Sequence, residues 1–307
     1  MTGARRRVAQ DLAIREEWMI EDLKLRSVDD KKAFYHRVLS PDTGTSEENK
    51  RNVVDHNGDG SHDWHDLMVM SDTIYRIEDT TGDGKADKKI AYATGIQTEI
   101  TGSMAGVLYH DGDVYATASP ELMKFRDTDG DGVSDQRESI AHGFGVHVAY
   151  AGHYMHGLNV GPDGRLYWTI GDKGLNVLSK EGKRWEYPHE GCMMRCEPDG
   201  SNFEVFVRGL RNLQEPRFDA YGNWFGVDND GDSAGEMERL VYLTQHMDVG
   251  WRINWQYFKG DYNFWTGEGL FKPYFDGQAG HIVPTIANYV NGPSGFAWNP
   301  GTALSPE

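Results

Sequence analysis

The chain has 307 residues and a net charge of −17, from 48 acidic and 31 basic side chains. That balance excludes a phosphate backbone as the natural partner, and no run reaches the roughly 18 consecutive apolar residues of a membrane-crossing helix. Hydrophobic residues make up 38%, enough for a core, and the 37 glycines point to many tight turns between short strands.

The opening stretch, MTGARRRVAQDLAIREEWMI, is basic and then mixed, without the apolar centre of a secretory signal. Either the protein is cytoplasmic or its start lies upstream. LAIREEWMIEDLKL (12–25) predicts a helix, and SPDTGTSEENK (40–50) predicts a polar connector. Residues 1–50 therefore form an N-terminal helical or irregular extension, with no chemistry that the residues identify.

From residue 51 the pattern changes. A strand, a tight turn with Asp-Gly or Gly-Asn at its centre, and a second strand recur in GVLYHDGDVYATAS (106–119), LNVGPDGRLYWTIGD (158–172), PRFDAYGNWFGVD (216–228) and SGFAWNPGTAL (294–304). The units recur every 50 to 80 residues or so, an internal repeat with insertions. This predicts an all-β fold of the β-propeller type over 51–307, with a β-sandwich as the competing architecture. The last residues, WNPGTALSPE, carry no finishing strand. The expectation is a C-terminally truncated propeller with about five blades' worth of sequence.

Four aspartate loops punctuate the repeat: DHNGDGSHD (55–63), DTTGDGKAD (79–87), DTDGDGVSD (127–135) and DNDGDSAGE (228–236). Oxygen side chains alternate at positions one, three and five, and an acid stands at position nine. Ca²⁺ takes six to eight oxygens, and a tight loop turns every second side chain inward. The third loop is the fullest, with Asp127, Asp129, Asp131, the Val133 carbonyl, Asp135 and Glu138 as candidate ligands. The first offers Asp55, Asn57, Asp59 and Asp63, and ends on Asp66. The second offers Asp79, Asp83 and Asp87, but has Ile90 at position twelve. The fourth offers Asp228, Asn229, Asp230 and Asp232. The flanks TIYRI and ELMKF read as strands, so these are calcium-type loops on hairpins rather than paired EF-hands. Solvated Asx turns are the simpler alternative.

Cys192 and Cys196 are spaced C-x3-C, without the His of a haem-attachment motif, and only His189 stands nearby as a further metal ligand. A buried or a disulfide-linked pair is expected.

Two passages carry a resemblance. HYMHGLNVGPDGRLYWTIGDKG (153–174) and RGLRNLQEPRFDAYGNWFGVDND (208–230) resemble consecutive signatures of the soluble quinoprotein glucose and sorbosone dehydrogenases, and PTIANYVNGPSGFAWNPG (284–301) resembles a later blade start. The aspartate loops and HEGCMMRCEPDG further resemble propeller domains of large planctomycete-type membrane-bound dehydrogenase-like proteins, which often carry a separate c-type haem domain. The resemblance implies a six-bladed propeller binding pyrroloquinoline quinone (PQQ) with Ca²⁺. It implies oxidation of a sugar or alcohol by hydride transfer to the quinone, with a haem as a possible electron acceptor. It also implies an extracytoplasmic, periplasmic location. His153, eight residues before Gly161, matches the family's base, with His156 as runner-up. Asp172 matches the acid that orients it. Arg211, Asn212 and Gln214 match the cofactor-binding run. The family's metal loop offers backbone carbonyls around a Gly-Pro, where this chain has Asn229-Asp230-Gly231.

Three functions compete at this level. One is a PQQ-dependent dehydrogenase, and another is a non-catalytic, Ca²⁺-stabilised propeller that binds carbohydrate or protein. The third is a Ca²⁺-dependent lactonase-like hydrolase recruiting Asn212, Asp228 and Glu236. The aromatic run WRINWQYFKGDYNFWTGEG (251–269) reads either as a sugar-stacking rim or as an insertion packed between blades.

Overall fold

Three short helices come first in the computed structural model, which describes residues 16–69, 71–148, 152–231, 233–257, 264–278 and 287–289, with 295, 297 and 299. They are α1 (Glu16–Asp22), α2 (Val28–Val38) and α3 (Glu47–Asn52). Ser27 caps α2 by accepting from the Asp30 N–H at 3.1 Å, and Val28, Lys31, Phe34 and Tyr35 form its buried face. α3 begins inside the stretch expected to be a connector. Ser46 caps it, acids fill its first turn and Lys50 and Arg51 its last, so capping and the helix dipole outweigh the polar composition. Residues 12–15 of the expected first helix lie outside the described residues.

These helices share a compact unit, residues 1–154, with six strands. The hairpin of β1 (Asp72–Glu78) and β2 (Lys88–Ile96) is followed by β3 (Gly106–His110), β4 (Asp113–Ala118), β5 (Glu121–Arg126) and β6 (Gln136–His142), which pair antiparallel in chain order. The β3–β4 turn has positive φ at both Asp111 (49°) and Gly112 (84°), the hairpin geometry that Asp-Gly favours. Ile74, Tyr92, Phe125 and Met123 pack into this unit's core. Each such buried side chain contributes roughly 1.5–3 kcal/mol of transfer free energy.

The second unit, residues 155–307, holds β7 (Met155–Val160), β8 (Leu166–Ile170), β9 (Leu175–Leu178), β10 (Arg184–Tyr187), β11 (Gly191–Cys196) and β12 (Glu204–Leu210). They are followed by β13 (Arg217–Phe218), β14 (Trp224–Asp228), β15 (Glu238–Leu243), β16 (Met247–Asp248) and β17 (Ala287–Tyr289). β7, β8, β11 and β12 form an antiparallel meander extended by β16, which runs parallel to β12. β13, β14, β15 and β17 form a second meander. β8 (LYWTI) is buried along its whole length, and its one hydroxyl on an aliphatic side chain, that of Thr169, donates to the Leu213 carbonyl at 2.7 Å. A near-continuous apolar run is what burial of both sheet faces selects.

The four-stranded up-and-down sheet is the blade of a β-propeller, and the fold is all-β of that type. The expected hairpins at 106–119, 158–172 and 216–228 are all present. The one at 294–304 falls almost entirely outside the described residues. Cys192 and Cys196 are free, buried thiols on one face of β11, and burial pushes both upward and away from thiolate chemistry. Among the described residues no helix is long and apolar enough to cross a membrane.

Candidate functional site

The first three aspartate loops are alike. In each, the leading Asp bends back and accepts two backbone N–H groups. Asp55 takes those of Gly58 and Gly60, Asp79 those of Gly82 and Gly84, and Asp127 those of Gly130 and Gly132. The second loop joins β1 to β2 and the third joins β5 to β6, on strands as expected. Asp87 and Asp135 each hold a threonine near the head of their loop, Thr80 and Thr128. Asp63 instead caps the helical turn Trp64–Met68, reciprocally with Asp66. The carboxylates of Asp127, Asp129 and Asp131 lie within 4.8 Å of one another, the one grouping of three such side chains at that spacing among the described residues. Val133 and Glu138 are exposed, and Asn57, Asp59 and Asp83 stay at the open ends of their loops. N–H and hydroxyl donors hold Asp79 and Asp87 below the usual carboxylate range, and at Asp127 desolvation is opposed and outweighed by the N–H donors.

The fourth loop is built differently. It joins β14 to β15, and its first residue turns inward. Asp228, fully buried, accepts the backbone N–H groups of Arg211 and Asn212 at 3.0 and 2.8 Å, and pairs with the equally buried Arg239. Arg239 also donates to the Val249 carbonyl and lies 4.4 Å from the ring of Trp265. Burial works against the Arg239 charge, and Asp228 supports it. Asp230 donates its N–H to Glu238 Oε2 at 2.7 Å. Glu236 accepts from the Trp265 indole and from the Ser233 N–H. Neither Glu236 nor Glu238 forms an ion pair among the described residues. Desolvation raises both carboxyls, and the charges of Asp230 and Asp228 help push Glu238 up to about 7. Asp232 lies outside the described residues.

Two of the expected site residues meet here. The Asp172 N–H donates to the Arg211 carbonyl at 2.7 Å, and the Trp251 indole donates to Asp172 Oδ2 at 2.9 Å. The Arg211 guanidinium lies 5.7 Å from the same Trp251 ring and donates through Nε to Gln256, which in turn donates to the Gly231 carbonyl. The side-chain oxygens of Asn212 and Asn229 are buried without a hydrogen-bond partner. Gln214 is half-buried beside this group in sequence. His156 is buried on β7, opposite Thr169. His153 is buried at the end of the first unit, next to Tyr154.

Sequence reasoning missed Glu238, Arg239, Gln256 and the two tryptophans as parts of one centre. A signal existed in EMERLVYL, where an acid and a base sit side by side at the head of a strand that should open on apolar residues. Trp251 and Trp265 are buried edge to face at 5.2 Å, so this part of the aromatic run packs inward.

The family model described as "Domain of unknown function (DUF7133)" matches residues 51–254. The chain belongs to the DUF7133 family. The matched span takes in all four aspartate loops, His153, Asp172 and the Arg211–Asp228 corner. No curated protein matches the sequence. Among solved structures, this DUF7133 chain is similar to the PQQ-bound aldose sugar dehydrogenase of Streptomyces coelicolor. Identity is 19%, with 64% of this chain and 57% of that one covered, at a TM-score of 0.42. It is similar also to a putative glucose dehydrogenase of Thermus thermophilus, at 20% identity, 53% and 56% coverage and TM-score 0.40. A putative gluconolactonase shows 19% identity, 48% and 50% coverage and TM-score 0.30. The chain spans little more than half of the first two structures.

Proposed function

We propose that this chain is the propeller portion of a quinone-dependent sugar or alcohol dehydrogenase whose cofactor-facing corner is Arg211, Asn212 and Asp172. One observation carries the reading. The two passages that resemble the dehydrogenase signatures meet through the Asp172 N–H and the Arg211 carbonyl, with Trp251 sealing the contact. A guanidinium beside an amide suits a polycarboxylate quinone. The nearby acids outside the Arg239 pair, Asp230, Glu236 and Glu238, do not suit such an anion alone. They fit it together with a hard divalent cation, because they offer only oxygen donors, and the partnerless Asn212 and Asn229 oxygens add two more.

The protein's own groups then have distinct tasks. Arg211 and Asn212 bind carboxylate and carbonyl oxygens. Asp228 and Arg239 hold the backbone of 211–212 rigid. Trp251 and Trp265 exclude water, which strengthens each charge interaction in the corner. Its match to the family's base makes His153, in the first unit, the candidate for taking the substrate hydroxyl proton. The quinone, when bound, supplies the two-electron acceptor. Asp127, Asp129 and Asp131 hold a structural Ca²⁺ on the β5–β6 loop. An extracytoplasmic location and a c-type haem acceptor accompany this reading, and cell fractionation tests the former.

Reconstitution decides it. The chain is mixed with PQQ and Ca²⁺, the quinone absorbance is followed, and dye reduction is measured across a panel of aldoses and alcohols. Quinone binding at micromolar concentration with substrate-dependent dye reduction is expected. No binding at that concentration ends the proposal. The Glu238 carboxyl, poised near neutrality, favours a second reading, a Ca²⁺-dependent hydrolase with Glu238 as base. Lactone hydrolysis with Ca²⁺ and without quinone would select it.

A further inference from the structure

We propose that Lys31 of α2 is a positioning residue for His153, acting through Gly145 and Tyr154. The inference rests on the reading of His153 as a base, and it gives the N-terminal helical segment a task in holding that residue's surroundings.

Lys31 is among the most deeply buried charged side chains, at 1% exposure. Its Nζ donates to the Gly145 carbonyl at 2.9 Å, and lies 5.3 Å from the centre of the Tyr154 ring and 5.9 Å from that of Tyr35. Asp22, at the end of α1, fixes the same segment a few residues on. It accepts the Val148 N–H at 2.7 Å, and its second oxygen lies 3.3 Å from His147 Nδ1. The Tyr154 ring fits against bare backbone, since a Cβ at Gly102 would stand 2.2 Å from it and one at Gly145 3.6 Å away. Tyr154, the chain neighbour of His153, therefore has its ring pinned by Lys31, Gly102 and Gly145.

Core packing alone does not account for this arrangement. Burial pushes Lys31 down to about 8, with the Asp22 charge opposing, so the fold bears a desolvation cost there. A methionine of the same length would fill the space without that cost. What the ammonium adds is direction: a donor for one carbonyl and a cation at one ring face.

The test is Lys31→Met in the full chain. Thermal melting should be unchanged or raised. Hydrogen exchange at residues 145–148 and acylation of His153 by diethyl pyrocarbonate should each speed up by roughly tenfold, as a released segment opens more often. His156, buried to the same 8% as His153, is the internal reference and should keep its rate. Lys32→Met, at an exposed position paired with Glu99, should change neither readout. A folded Lys31→Met protein whose His153 acylates at the wild-type rate overturns the proposal, whatever the exchange shows. Should Lys31→Met fail to fold, Tyr154→Leu decides by the same acylation readout. If the reconstituted protein oxidises sugar, Lys31→Met should lower kcat and leave KM in place. If it oxidises nothing, the dehydrogenase reading fails while the acylation result still decides on Lys31.

Discussion

The third and fourth aspartate loops open on the same D-x-D-G-D pattern and end in opposite electrostatic states. In DTDGDGVSD the carboxylates stay at the surface, and backbone N–H groups hold Asp127 below the usual range. In DNDGDSAGE the leading Asp is buried on Arg239, and Glu236 and Glu238 are raised. The difference comes from what packs over each loop. Asp129 and Asp131 stay exposed, whereas Trp251, Trp265 and Gln256 close over the β14–β15 loop. A shared opening pattern thus does not fix the turn by itself, and the tertiary cover decides whether it becomes a solvated loop or a desolvated centre.

The largest effect that can break this comparison is at Arg239. Arg239→Leu leaves Asp228 buried and uncompensated, and should cost about 3–5 kcal/mol in urea unfolding. A loss below about 1 kcal/mol, the level of an exposed pair, would put the two loops in one class. Next comes Glu238. Its raised carboxyl contributes stability that is fully present below the unfolded value of 4.5 and lost as pH rises through about 7. Glu238→Gln should therefore stabilise the protein at pH 8 by about 1–3 kcal/mol and flatten the slope of melting temperature between pH 5 and pH 8 or so. A variant with the wild-type slope would refute desolvation at that residue.

Calcium sharpens the contrast from the other side. Saturating Ca²⁺ should raise the melting temperature by the equivalent of about 2–3 kcal/mol at roughly a hundredfold excess over its dissociation constant. Replacing both Asp129 and Asp131 by Asn should weaken that response about tenfold in calcium concentration or more, since two carboxylates of the third loop are lost. An unchanged calcium titration would move the cation elsewhere. The smallest effect is expected of Asp79→Asn without calcium. The amide keeps one acceptor oxygen and so loses one of the bonds from Gly82 and Gly84, but the loop is exposed and water takes up the freed N–H, so the melting temperature should fall only slightly.

The turns and strands were legible because their signals are local. Asp111-Gly112 and the alternation on either side predict a hairpin from neighbouring residues alone. The placement of the second and third loops on strands followed from TIYRI and ELMKF in the same way. The buried centre was half legible. Asp172 and Arg211 stood out by resemblance, yet the bond between them joins residues 39 positions apart, and no spacing rule reaches that far. Glu238 and Arg239 were missed because a charged pair at a strand head looks like surface until its cover is known. Lys31 was missed for a related reason, because its partners Gly145 and Tyr154 lie more than a hundred residues away.

The cover over the fourth loop also sets an order of events during synthesis. Asp228, Glu236, Glu238 and Arg239 leave the ribosome before Trp251, Gln256 and Trp265, the groups that shut water out of their corner. Until those arrive, the charges are hydrated and nothing raises the Glu236 and Glu238 carboxyls. The corner becomes a low-dielectric compartment only as its last residues emerge. A nascent chain stalled near residue 245 should carry complete early hairpins around a corner that is still wet.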